Sequence, residues 1–123
     1  MKLYVHPRCT TCKKALAFLE KQKISVEPID ITVTPPNKRE LKQMLGAYGG
    51  DIRRLFNTSG MQYREFGLKD RLDTMSEAEA LELLRQNGML VRRPFLLLES
   101  GGLVGFREPE WKNGLARKAS VGR

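Results

Sequence analysis

Cysteine is scarce in this 123-residue chain, with Cys9 and Cys12 the only two. Two cysteines cannot build the disulfide scaffold of a small secreted domain. Histidine is scarcer still: His6 stands alone. A structural zinc site takes about four Cys or His ligands, so no metal site is expected. No apolar run nears the ~20 residues that span a bilayer. Met1-Lys2-Leu3-Tyr4 enters a strand-like pattern directly, without signal-peptide architecture. A cytoplasmic protein with no membrane partner is the expectation. Acidic side chains are also in deficit, 14 against 22 lysines and arginines, for a net charge of +8. That balance suits oxyanions, an acidic protein surface or nucleic acid. The basic clusters Lys38-Arg39, Arg53-Arg54, Arg92-Arg93 and Arg117-Lys118 are dispersed, and none is interleaved with stacking aromatics. Direct nucleic-acid binding is therefore not expected. Asp30, Asp51 and Glu79 form no paired-carboxylate pattern, so no acid–base dyad is read.

What is present reads as one α/β domain over 1–123. Residues 2–6 are a short β-favouring run ended by Pro7. From Thr10 to about Lys23, apolar Cys12, Ala15, Leu16 and Leu19 recur at helical spacing, with lysines opposite. Ile24 to Ile31 alternates as a strand, and Pro28 predicts a sheet edge because proline cannot donate to a ladder. Leu41, Met44, Leu45 and Tyr48 give a second helical stripe, ended by Gly49-Gly50. Asp51 to Phe56 suits a short helix and Asn57-Thr58-Ser59-Gly60 a turn. Ser76-Glu77-Ala78-Glu79 predicts a capping box opening a helix that runs to about Asn87-Gly88. Phe95 to Glu99 and Leu103 to Phe106 flank Ser100-Gly101-Gly102 as a hairpin. Glu108-Pro109 opens a last helix. The order is β-α-β, a helical insertion over about 35–90, then β-β-α, with a small basic tail expected to fray over about 116–123.

The chemistry concentrates at Cys9-Thr10-Thr11-Cys12. A helix beginning near Thr10 puts Cys9 at its N-terminus, where unpaired amides and the macrodipole favour an anion. Arg8, Lys13 and Lys14 add positive charge there, and Arg8 is an expected anion contact. Thiolate is the nucleophilic form, so Cys9 is the reactive member. Cys12, one turn on, can resolve a mixed disulfide on Cys9. It also belongs to the apolar stripe and suits a buried packing role equally. His6 ends the first strand, with a base role as its alternative. Arg93 is a candidate anion contact or half of a solvated pair.

Several segments together carry a resemblance. They are Tyr4-Val5-His6-Pro7-Arg8-Cys9-Thr10-Thr11-Cys12, Thr34-Pro35-Pro36, Leu55-Phe56-Asn57-Thr58-Ser59-Gly60, Tyr63-Arg64-Glu65, Gly67-Leu68, Gly88 to Pro94 and Val104-Gly105-Phe106. Across nearly its whole length the chain resembles the thioredoxin-like arsenate reductase family, which also contains the redox-sensing transcription regulator Spx. The resemblance implies a thioredoxin-like, glutaredoxin-type βαβ-ββα core with a helical insertion. It implies Cys9 as the nucleophile on a small oxyanion or disulfide and Arg93 as an oxyanion contact. Pro94 would follow a cis peptide bond. Arg107, or its neighbour Phe106, falls at the position of a second arginine. No bound cofactor is implied; an external thiol donor, glutathione with glutaredoxin or else thioredoxin, would regenerate the cysteine. As a regulator, the protein would instead bind the RNA polymerase α-subunit, and Gly49-Gly50 with Arg53-Arg54 would be the surface to examine. Asn57 departs from the pattern, because established arsenate reductases carry an arginine there. Losing a charge-assisted contact costs about 1.5–3 kcal/mol. Cys12 departs too, since those reductases lack a second thiol at its position.

Overall fold

The structure, a computed structural model, describes the backbone of residues 1–121 and the side chains of residues 1–116. In the tail expected to fray over about 116–123 the backbone is helical to Val121, and residues 122–123 lie outside the described residues. Four short strands form one sheet in the order β2-β1-β3-β4: β1 Lys2–Val5, β2 Glu27–Asp30, β3 Phe95–Leu97 and β4 Gly102–Val104. β1 runs parallel to β2 and antiparallel to β3, and β3 pairs antiparallel with β4. A parallel pair needs a crossover, and helix α1, Thr10–Lys21, supplies it. Between β2 and β3 lie α2 Lys38–Ala47, a 3₁₀ turn Ile52–Leu55, α3 Met61–Glu65, α4 Leu68–Arg71, α5 Glu77–Gln86 and a 3₁₀ turn Gly88–Leu90. Helix α6, Glu108–Val121, closes the order. This is the thioredoxin-like βαβ-ββα core with the expected helical insertion. Pro28 lies on the outer strand as predicted, opposite Leu3 of β1.

The strand alternation divides the apolar interior in two. Leu3, Leu96 and Leu103 stand opposite one another in register and face α1 and α6, packing with Ala15, Phe18, Leu19, Trp111 and Leu115. Their neighbours Tyr4, Phe95 and Val104 face the helical insertion, among Leu41, Met44, Leu81 and Leu84. One residue of register slip would exchange the two faces.

Helix starts correct one expectation. At α5 the Ser76 hydroxyl accepts the Glu79 N–H at 3.1 Å, but its proton goes to the exposed Glu79 carboxylate at 3.0 Å. The carboxylate therefore does not reach back to the Ser76 amide, and only half of the predicted capping box forms. The complete box is at α2. There Glu40 N–H donates to Asn37 Oδ1 at 2.8 Å, and Asn37 N–H donates to Glu40 Oε1 at 3.0 Å. The sequence reading gives α3 and α4 no elements of their own within the helical insertion, since four or five residues carry too little periodicity.

Glu40 is the one buried charged residue among those described, 2% exposed. Tyr4 donates its hydroxyl to it at 2.7 Å, and Lys2 Nζ donates at 3.1 Å. Burial pushes the carboxyl up, but the bonds from Asn37, Tyr4 and Lys2 outweigh it and leave it below the usual carboxylate range. The unfolded chain thus binds that proton more tightly than the folded one. Glu40 stabilises the fold above the ordinary value of about 4.3, and this contribution fades as pH falls through the depressed folded value. Denaturant titrations of wild type and Glu40→Gln should differ by about 1–3 kcal/mol at neutral pH. The gap should narrow toward pH 3; a gap constant with pH would refute the assignment.

Candidate functional site

The site begins where β1 ends. The chain turns through Pro7 and Arg8, the turn closed by Cys9 N–H donating to the His6 carbonyl at 3.1 Å. Arg8 N–H donates to His6 Nδ1 at 3.0 Å, so that ring nitrogen is an acceptor. Cys9 is the N-cap of α1, in extended backbone geometry, and its Sγ accepts the Cys12 N–H at 3.2 Å. A sulfur thus occupies the place usually taken by a serine or aspartate oxygen. Both cysteines are free thiols; Cys9 is partly exposed and Cys12 is 1% exposed. Burial, with the hydrogen bond to Cys9 next, pushes the Cys12 thiol up to about 12, against an opposing pull from the Arg93 guanidinium. At neutral pH Cys12 is therefore a protonated thiol.

A cleft of about 520 Å³ opens beside the first turn of α1. Thr11, Asn57, Arg54, Arg92, Arg93, Arg107 and Glu110 line it, with the chain at Val104–Phe106. Residues far apart in sequence meet through a minimal antiparallel bridge, Phe56 against Val91. Asn57 N–H donates to Leu90 O at 2.7 Å and Arg92 N–H to Leu55 O at 2.8 Å. This bridge sets Arg54 and Asn57 beside Arg92 and Arg93. The Arg93–Pro94 peptide bond is cis, as expected. Gly105 N–H donates to Pro94 O at 2.9 Å, and Gly105 adopts φ +66°, which glycine tolerates and which turns β4 toward Arg107.

Of the sequence-expected anion contacts, Arg93, Arg107 and Asn57 line one cleft. Arg8 does not: its turn is exposed and its side chain is absent from the wall. Phe106 packs its ring against Phe18 and Trp111, at 5.5 and 5.1 Å between centroids, leaving Arg107 as the charged member of that pair. Sequence reading missed Arg92 and Arg54 as cleft residues. Arg54 lies 4.6 Å over the Tyr48 ring and 3.8 Å from Glu110. Tyr48 donates its hydroxyl to Glu110 at 3.1 Å and accepts the Val104 N–H at 2.9 Å. Arg53 turns away to Tyr63 and Asp73, at 3.1 and 2.6 Å, so the Arg53-Arg54 pair is divided between structural and cleft roles. A second cleft of about 670 Å³ lies at the opposite sheet end, lined by Lys2, Glu27, Arg39 and Glu99 of mixed charge. It contains no thiol. No group of three or more potential metal ligands occurs among the described residues, and none of their helices is long and apolar enough to cross a membrane.

Fold and cysteine placement together define a thioredoxin-like α/β protein. The chain belongs to the ArsC family, whose sequence model matches residues 4–113. It is 42% identical over 116 residues to the uncharacterized protein YusI of Bacillus subtilis, covering 94% of this chain and 98% of that one. It is 31% identical over 115 residues to the global transcriptional regulator Spx of Streptococcus agalactiae, covering 94% of this chain and 82% of the relative. Its fold is similar to that of a possible arsenate reductase from Streptococcus mutans, with a TM-score of 0.82 and 36% identity over 90% of this chain and 96% of that one.

Proposed function

We propose that this protein is a thiol-dependent oxidoreductase in which Cys9 is the nucleophile and Cys12 the resolving thiol. The observation that carries the reading is the Cys9 cap of α1, whose Sγ takes the Cys12 N–H at 3.2 Å beside an arginine-lined cleft. Membership of the ArsC family and likeness to a possible arsenate reductase support it. Arsenate is the first oxyanion to test, with Arg93 and Arg107 as its charged contacts. Asn57 supplies an amide where a guanidinium would fork around the anion, so turnover on arsenate should be slow. Reduced protein is incubated with arsenate and either glutathione plus glutaredoxin or thioredoxin plus its reductase, following reductant consumption. Turnover with either donor supports arsenate as substrate; none with both removes it.

A regulatory reading draws on the 31% identity to Spx. In that case the cysteine pair would switch binding to the RNA polymerase α-subunit. Pull-down of the purified subunit, with oxidised and reduced protein, separates the two. Capture in one redox state favours the regulator, and no capture in either ends that reading.

A further inference from the structure

The cleft is larger and more basic than a tetrahedral oxyanion requires. At about 520 Å³ it falls within the ~300–1,000 Å³ typical of sites for organic ligands. Four guanidinium groups, from Arg54, Arg92, Arg93 and Arg107, face the single carboxylate of Glu110. Arg93 is the one whose charge acts on Cys12. Of the other three, Arg54 and Arg107 stand close enough to act on Arg92. Its Nε is buried with no hydrogen-bond partner, and its Nη2 is 3.5 Å from Thr58 Oγ1. Burial first, then the charges of Arg54 and Arg107, disfavour the Arg92 cation. Arg54 contacts Glu110 only at 3.8 Å, and Arg107 has no ion pair among the described residues. An orphaned buried donor amid like charges is costly. A ligand carboxylate or phosphate in the cleft supplies the missing counter-charge.

We propose that Arg54, Arg92 and Arg107 form a second anion subsite, which holds a carboxylate or phosphate of an organic disulfide while its sulfur meets Cys9. This rests on the thiol reading above and names its substrate class. The Cys9 thiolate attacks one sulfur of RS–SR, forming Cys9–S–SR and releasing RS⁻, which takes a proton from water. Cys12 yields its proton to water and attacks the Cys9 sulfur, releasing the second RS⁻ and forming the Cys9–Cys12 disulfide. Two electrons pass from the protein to the substrate, and a dithiol reductant returns them.

The test compares two small disulfides, the dianionic dithiobis(nitrobenzoate) and the neutral hydroxyethyl disulfide. Modification of Cys9 is timed by intact mass in quenched samples. Arg92→Gln and Arg54→Gln should each lower the anionic-to-neutral rate ratio by about tenfold. Arg85→Gln removes the same charge from exposed α5, where Arg85 pairs with Glu82, and should hold the wild-type ratio. Raising salt should erode the wild-type preference. An unchanged ratio in both cleft variants overturns the subsite, as does an equal fall in Arg85→Gln, which would trace the preference to net charge. Failure of Cys9 to react with either disulfide overturns the thiol reading itself.

Discussion

Cys9→Ser is expected to reduce thiol-dependent turnover by about three orders of magnitude or more, while the protein stays folded. Serine is among the best helix N-caps, so its hydroxyl takes over the Cys12 N–H that Sγ accepts. The loss therefore falls on nucleophilicity and not on α1. Circular dichroism and denaturant midpoint should match wild type within about 0.5 kcal/mol. Cys12→Ser should behave differently: the first attack proceeds and the cycle stalls, leaving a mixed disulfide on Cys9 that intact mass detects. Resolution also carries a pH signature. With burial holding the Cys12 thiol up at about 12, the resolving step should speed up across pH 7–9, by up to about tenfold per unit. Residual activity in Cys9→Ser near wild type would sink the nucleophile assignment. Full turnover by Cys12→Ser with glutathione would show a single-thiol cycle and reduce Cys12 to packing.

The largest structural effect is expected at Gly88→Ala. A Cβ there would overlap the Ile31 carbonyl oxygen and lie 3.0 Å from the carbonyl carbon. Neither partner can retreat easily. Ile31 N–H donates to Val5 O at 2.9 Å, extending the β1–β2 pairing, and Val91 N–H is held by Gly88 O at 3.1 Å. Relief requires moving either the sheet edge or the segment that carries Arg92 and Arg93. A loss of about 3 kcal/mol or more follows from such overpacking against backbone. Gly46→Ala is the counterpart, since nothing lies within 4 Å of its Cβ near the end of α2. There the helix should gain about 0.5–1 kcal/mol. Urea midpoints of the two variants should move in opposite directions, and equal shifts would refute the steric account.

The parts of the molecule readable from sequence are those with a local cause. Cys9 before a helical stripe, Pro28 on an outer strand and Gly49-Gly50 after α2 each act through their own backbone or their helix end. The cleft is different. Arg54 and Arg92 are brought together by the single bridge between Phe56 and Val91, which is too short to leave a period in either segment. Glu40 was equally invisible: its burial depends on Lys2 and Tyr4 of β1 meeting a capping box on α2. A sequence reading sees a charged residue on a helix and assigns it to solvent. Asn57 was legible as a residue but not as a neighbour of four arginines.

Each margin of the sheet has one outward donor removed or taken. On β2, Pro28 has no N–H, and its flanking pairings, Glu27 N–H to Met1 O at 2.9 Å and Ile31 N–H to Val5 O at 2.9 Å, already point inward. On β4, the outward N–H of Val104 is taken by the Tyr48 hydroxyl at 2.9 Å. Strand augmentation and edge-to-edge aggregation both need such free donors in a row. The row of outward donors is therefore interrupted on each side, which disfavours growth of the sheet by a neighbouring molecule.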